Sequence, residues 1–170
     1  MLNAVPNRVP ADVRVPRNQF TIDVFPHVKK FILKTYRTAT LAKGTVKVEE
    51  YTTLGKYVTL ALREPAGPSH NDQYRDRLTA SLTLVLTDKQ SKLTPRLHKL
   101  MRLNIDLDRV FKEHLITWIN AHRLSGIPPY TACRMFLEYY NIDEKEYPLD
   151  AAHRYYQRVK STGDCDTKAA

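Results

Sequence analysis

Residues 45–62, TVKVEEYTTLGKYVTLAL, decide how the first half of the chain is read. Val46 and Val48 alternate with Lys47 and Glu49, and Val58, Leu60 and Leu62 alternate with Thr59 and Ala61. Such alternation puts every second side chain on one face of a strand. With Leu54-Gly55-Lys56 between the two runs, the stretch predicts a β-hairpin. Downstream, Leu82, Leu84 and Leu86 repeat the pattern and extend the expected sheet. Upstream, Phe20, Ile22 and Val24 read as a short strand that Pro26 ends.

Between these strands, HVKKFILKTYRTATLAKG (27–44) carries two patterns at once. Val28, Phe31, Ile32 and Tyr36 fit one helix face, while the β-branched and aromatic residues from Phe31 to Leu41 suit a strand. Pro26 at a helix start favours the helix, and residues 27–41 stay open between the two. The stretch EPAGPSHNDQYRDR (64–77) holds two prolines and a glycine, which marks a surface loop.

After Thr94-Pro95 the period changes to that of helices. Leu97, Leu100 and Met101 form one apolar stripe; Leu107, Val110, Phe111, Leu115, Trp118 and Ile119 form a longer one. Gly126 and Pro128-Pro129 stop it. Ala132, Cys133, Phe136, Leu137 and Tyr140 define a helix over about 129–141, and Ala152, Tyr155, Tyr156 and Val159 another over about 148–160.

The expected fold is therefore α+β, a small and largely antiparallel sheet from the first half packed against C-terminal helices. Residues 1–19 form an extended arm with Pro6, Pro10 and Pro16 among Arg8, Arg14 and Arg17. Residues 20–160 form a single domain, mainly strands with one candidate helix over 20–92 and helical over 93–160, and 161–170 a polar tail.

Of the formal charge of +9, an excess of seven lies in residues 1–63 and two in 64–110, while 111–170 is balanced. Attraction for phosphate or an acidic partner is thus expected from Arg8, Arg14, Arg17, Lys29, Lys30, Lys34 and Arg37. A solvated basic surface accounts for the same residues without a partner. No apolar run reaches the length of a membrane span, and the N-terminus lacks a secretory signal, so the expected location is cytoplasmic or within an assembled particle. Cys133 and Cys165 are the only cysteines, too few for a disulfide framework or a Cys-rich zinc site. Cys133 reads as an apolar filler.

The two C-terminal helices, joined by the acidic turn DEKEY (143–147), invite a helix-turn-helix reading with Arg154 and Arg158 on DNA. Against it, an Asp150–Arg154 pair explains that arginine, and the acidic turn would repel phosphate. Tyr139, Tyr140, Tyr147, Tyr155 and Tyr156 suit a protein interface, since neighbours in a doublet point about 100° apart and cannot share one narrow stripe. Ser69-His70-Asn71-Asp72 holds hydrolase residue types but not triad spacing. His114 and His122 flank Trp118 as packing residues. No motif calls for a metal, nucleotide or other cofactor. The residues favour a non-enzymatic assembly subunit, of a virion or other nucleoprotein complex, that docks on protein subunits, self-association included, with nucleic acid held through phosphates. The runner-up is a DNA-binding regulator.

Overall fold

A computed structural model of the chain describes residues 18–37, 40–42, 44–63, 76–91 and 97–166. Strand β1 (Gln19–Val24) leads into helix α1 (Pro26–Thr35), strands β2 (Thr40–Ala42) and β3 (Thr45–Lys47), helix α2 (Thr53–Arg63) and strand β4 (Ala80–Val85). The single turn α3 (Asp88–Ser91) follows, then α4 (Leu97–Leu124), α5 (Pro129–Tyr139) and α6 (Leu149–Asp166). The fold is α+β, as the periodicities predict. Arg8, Arg14, Arg17 and the Ser69–Asp72 cluster lie outside the described residues.

The sheet order is β1-β4-β3-β2. β1 runs antiparallel to β4 from Gln19 opposite Val85 to Val24 opposite Ala80, and β2 runs antiparallel to β3. β3 and β4 are parallel, with Val46 opposite Leu84. The strands expected at Phe20–Val24 and Leu82–Leu86 are thus neighbours. The ambiguous stretch 27–44 divides, giving helix over Pro26–Thr35 and strand over Thr40–Ala42.

The hairpin expected over 45–62 does not form. Its second arm is helix α2, which carries the chain across to the parallel partner β4, a connection that needs a dozen or more residues. The run Val58, Leu60, Leu62 fits a period of two, but Leu54, Val58, Ala61 and Leu62 fit 3.6 as well, and these are the buried residues. Leu60 is 55% exposed, as the helical pattern requires. Thr52 caps the helix: its hydroxyl oxygen accepts the Gly55 N–H at 3.0 Å and its O–H donates to the Glu49 carbonyl at 2.7 Å. Gly55 is obligatory there, because a Cβ would lie 1.9 Å from the Glu49 main-chain oxygen.

Helix α4 is the spine, touching β1, α1, α2 and α5. Leu103, Leu107, Val110, Phe111, Leu115 and Ile119 line its buried face and join one core with the sheet and with Phe31 and Phe136. Two helix ends are closed by the same device, in which a residue of positive φ lets its own N–H and that of the next residue reach back to free carbonyls. After α4 it is Gly126 (φ 80°), with Ile127 N–H bonded to His122 O. After α5 it is Asn141 (φ 54°), with Ile142 N–H bonded to Leu137 O. These turns fold α5 and α6 back along α4 and determine what faces α6.

Candidate functional site: a basic, tyrosine-walled groove

A groove of about 530 Å³ opens between α4 and α6, lined by Lys112, Tyr147, Ala151, Arg154, Tyr155, Gln157 and Arg158. The helical repeat explains its α6 wall: residues 151, 154, 155 and 158 recur at i, i+3, i+4 and i+7 and so share one face. Lys112 enters from α4, and Tyr147 from the turn before α6. Three cations and two phenol rings meet here, and no carboxylate is among the described lining residues. This local charge is invisible in the balanced total of residues 111–170.

Behind the groove lies a chain of polar contacts that joins it to the core. Lys112 Nζ donates to Asp108 Oδ2 at 2.6 Å, and His27 Nε2 lies 3.1 Å from Asp108 Oδ1 as the second donor. His27 is buried among the rings of Phe25, Phe111 and Tyr147, and its Nδ1 has no hydrogen-bond partner among the described residues. Burial alone would raise the Asp108 pKa, but the hydrogen bonds from His27 and Lys112 outweigh it and hold the carboxyl below its ordinary 3.8. Burial, followed by the negative charge of Asp108, pushes the Tyr147 phenol far above its ordinary range. Tyr147 therefore remains a neutral O–H at the groove wall. Lys112 Nζ also stands 5.5 Å from the ring centroid of Tyr155, a cation over an aromatic face.

The other cations named from sequence have different surroundings. Lys30 Nζ bridges Asp143 at 2.9 Å and Glu146 at 2.7 Å, and these contacts raise its pKa although desolvation works against them. Lys34 Nζ donates to the Tyr139 main-chain oxygen and sits 4.1 Å over that residue's ring. Both lysines therefore clasp the end of α5 and the acidic turn. Lys29 is partly buried near Gly44, and Arg37 is exposed. The third acidic residue, Glu144, accepts the Leu149 N–H through both carboxylate oxygens at 3.2 Å and caps α6. The turn expected to repel phosphate is occupied within the chain.

Arg154 departs from its expected pairing: its Nε donates to the Asp150 main-chain oxygen at 3.3 Å, while the Asp150 carboxylate accepts from the Tyr130 hydroxyl at 3.4 Å. The tyrosine doublets split as helical geometry demands. Tyr140 and Tyr156 are buried at 9% and 3% exposure, and Tyr139 is 49% exposed. Tyr155 is half-buried at the groove. His122 stacks on Trp118 with centroids 4.6 Å apart, and His114 meets the edge of Phe31. Cys133 is buried, and desolvation pushes its thiol up to about 11, so it is inert packing. Among the described residues, no three His, Cys, Asp or Glu side chains gather as metal ligands, and no helix is long and apolar enough to cross a membrane.

A second groove of about 500 Å³ between α2 and α3 is lined by Glu50, Lys56, Thr59, Leu60, Arg63, Lys89 and Gln90. Its cations share the rim with a carboxylate, and none of its described lining residues is aromatic. No protein-family model, curated protein or solved structure matches the chain.

Proposed function

We propose that the chain is a non-enzymatic subunit of a larger assembly, a virion or another nucleoprotein particle, that holds an anionic neighbour in the α4–α6 groove. The observation that carries this reading is the convergence of Lys112, Arg154 and Arg158 with Tyr147 and Tyr155 on one open cleft. Cations supply attraction over several ångströms, and tyrosines supply rigid contact area with a polar tip. His27, Asp108 and Lys112 look at first like catalytic residue types. Their mutual contacts are accounted for by ionic packing, and His27 is buried away from the groove opening.

Size measurement by light scattering, with the purified full chain and with mixtures containing candidate acidic partners, tests the reading. Incorporation into a larger complex that Arg154→Ala/Arg158→Ala abolishes is the expected result. A chain that stays monomeric with every polyanion offered would contradict it.

One observation favours a second reading, a DNA-binding regulator. The acidic turn beside α6 is occupied by Lys30 and by the α6 cap, so it opposes phosphate less than its composition implies. Arg154, Gln157 and Arg158 then offer a helix stripe of base-reading types. The nine residues from Tyr140 to Pro148, packed against α1, make a longer link than a helix-turn-helix ordinarily has.

A further inference from the structure

We infer that the anionic neighbour in the α4–α6 groove is single-stranded nucleic acid, an inference that rests on the docking reading above and specifies its partner. Arg154 and Arg158 are four residues apart on α6, so their Cα atoms stand about 6 Å apart along the helix axis. They form a short rail for successive phosphates of an extended strand. Lys112 plays another part, since Asp108 holds its ammonium at 2.6 Å and it stands over the Tyr155 ring. The ring face that Lys112 leaves uncovered is the flat surface for an unpaired base, and Tyr147, fixed by Phe111 at 5.2 Å and His27 at 4.7 Å, is a rigid second wall. Ala151 keeps the floor between them low.

Shape and chemistry separate this ligand from its rivals. About 530 Å³ lies within the range of about 300–1,000 Å³ that suits small-molecule-sized groups, room enough for a nucleotide. A duplex keeps its bases stacked inside, so at a concave wall it uses the arginines and leaves the ring faces idle. An acidic peptide also satisfies the arginines and has no planar group for Tyr155. An unpaired strand uses cations and rings together, the combination found where single strands are bound without base reading. Asp108 is not among the described groove-lining residues, and its two oxygens accept from His27 and Lys112.

Fluorescence anisotropy of a labelled short oligothymidylate with the full chain tests the assignment, with the same strand in duplex form and a polyglutamate as competitors. The single strand is expected to compete best. Arg154→Ala/Arg158→Ala should weaken binding about tenfold or more and reduce the salt slope by about 1.4, at about 0.7 for each phosphate no longer neutralised. Tyr155→Leu should weaken it about five- to hundredfold, and Tyr155→Phe should restore it, because the ring face carries the stacking. Circular dichroism confirms folding, and Tyr155→Phe is the folded control. Equal competition by polyglutamate would overturn the nucleic-acid assignment and leave the docking reading standing. Preference for the duplex would overturn it in favour of the regulator. Loss of binding in Tyr155→Phe would refute the stacking role, and failure of every polyanion to bind would remove the docking reading as well.

Discussion

Lys30 and Lys34 on α1 and Arg154 and Arg158 on α6 are two pairs of cations with the same spacing of four residues, and the fold gives them opposite uses. The α1 pair faces Asp143, Glu146 and the end of α5, and is spent within the chain. The α6 pair lines an open groove beside two phenol rings and Lys112, which is itself paired with Asp108. Charge spacing alone therefore cannot distinguish a structural clasp from a docking surface. What distinguishes them is the set of groups that distant segments bring opposite each pair. The comparison also reverses the distribution of net charge: residues 1–63 hold the excess, yet the described cationic groove lies in the balanced segment.

The two regions meet at Phe111, whose ring packs on His27 and Phe31 of α1 and on Tyr147 of the groove. Truncating it has the largest expected effect on both regions. Phe111→Ala should cost about 3–5 kcal/mol, read as a lower urea midpoint, and should disturb clasp and groove together. A loss below about 1 kcal/mol would mean that the ring is not the shared wall.

A smaller effect is expected at Asp108, which links His27 of α1 to Lys112 at the groove. Asp108→Asn removes two charge-assisted hydrogen bonds and should cost about 1.5–3 kcal/mol at neutral pH. Because the folded-state pKa of Asp108 lies below its unfolded value, its stabilisation is present above the unfolded pKa, about 3.9, and lost as pH falls through the folded value. The gap in urea midpoint between wild type and Asp108→Asn should therefore close in acid. A gap of constant size down to the acid limit would show that the carboxylate charge is not what the contacts use.

The sequence carries the fold where the local signals agree. Pro26, Gly126 and Pro128-Pro129 mark helix boundaries, and the alternations at Phe20–Val24 and Leu82–Leu86 become paired strands. It misleads at Val58–Leu62, where periods of 2 and 3.6 fit the same apolar residues. Thr52 as a cap, and Leu54 one turn before Val58, were the signals for the helix. The groove was legible only in part. Arg154 and Arg158 stand out as exposed cations, whereas Lys112 is 42 residues from Arg154 and joins it only through the turns at Gly126 and Asn141. Tyr147 and Tyr155, read from sequence as protein-interface residues, both line the groove, from the turn before α6 and from α6 itself. The contact of His27 with Asp108 spans 81 residues and has no local signature.

The smallest stability change tests the central claim best, because it separates two uses of charge. Lys30→Ala/Lys34→Ala should lower stability by about 1 kcal/mol or less, as partly exposed ion pairs do, and leave polyanion binding within about twofold. Arg154→Ala/Arg158→Ala should leave the urea midpoint unchanged and weaken binding about tenfold or more. The most direct measurement is the affinity of these two double variants for one labelled oligothymidylate at fixed low salt. Loss in the α6 variant with retention in the α1 variant is the predicted result. Equal loss in both, or full retention in the α6 variant, would contradict the division between clasp and groove.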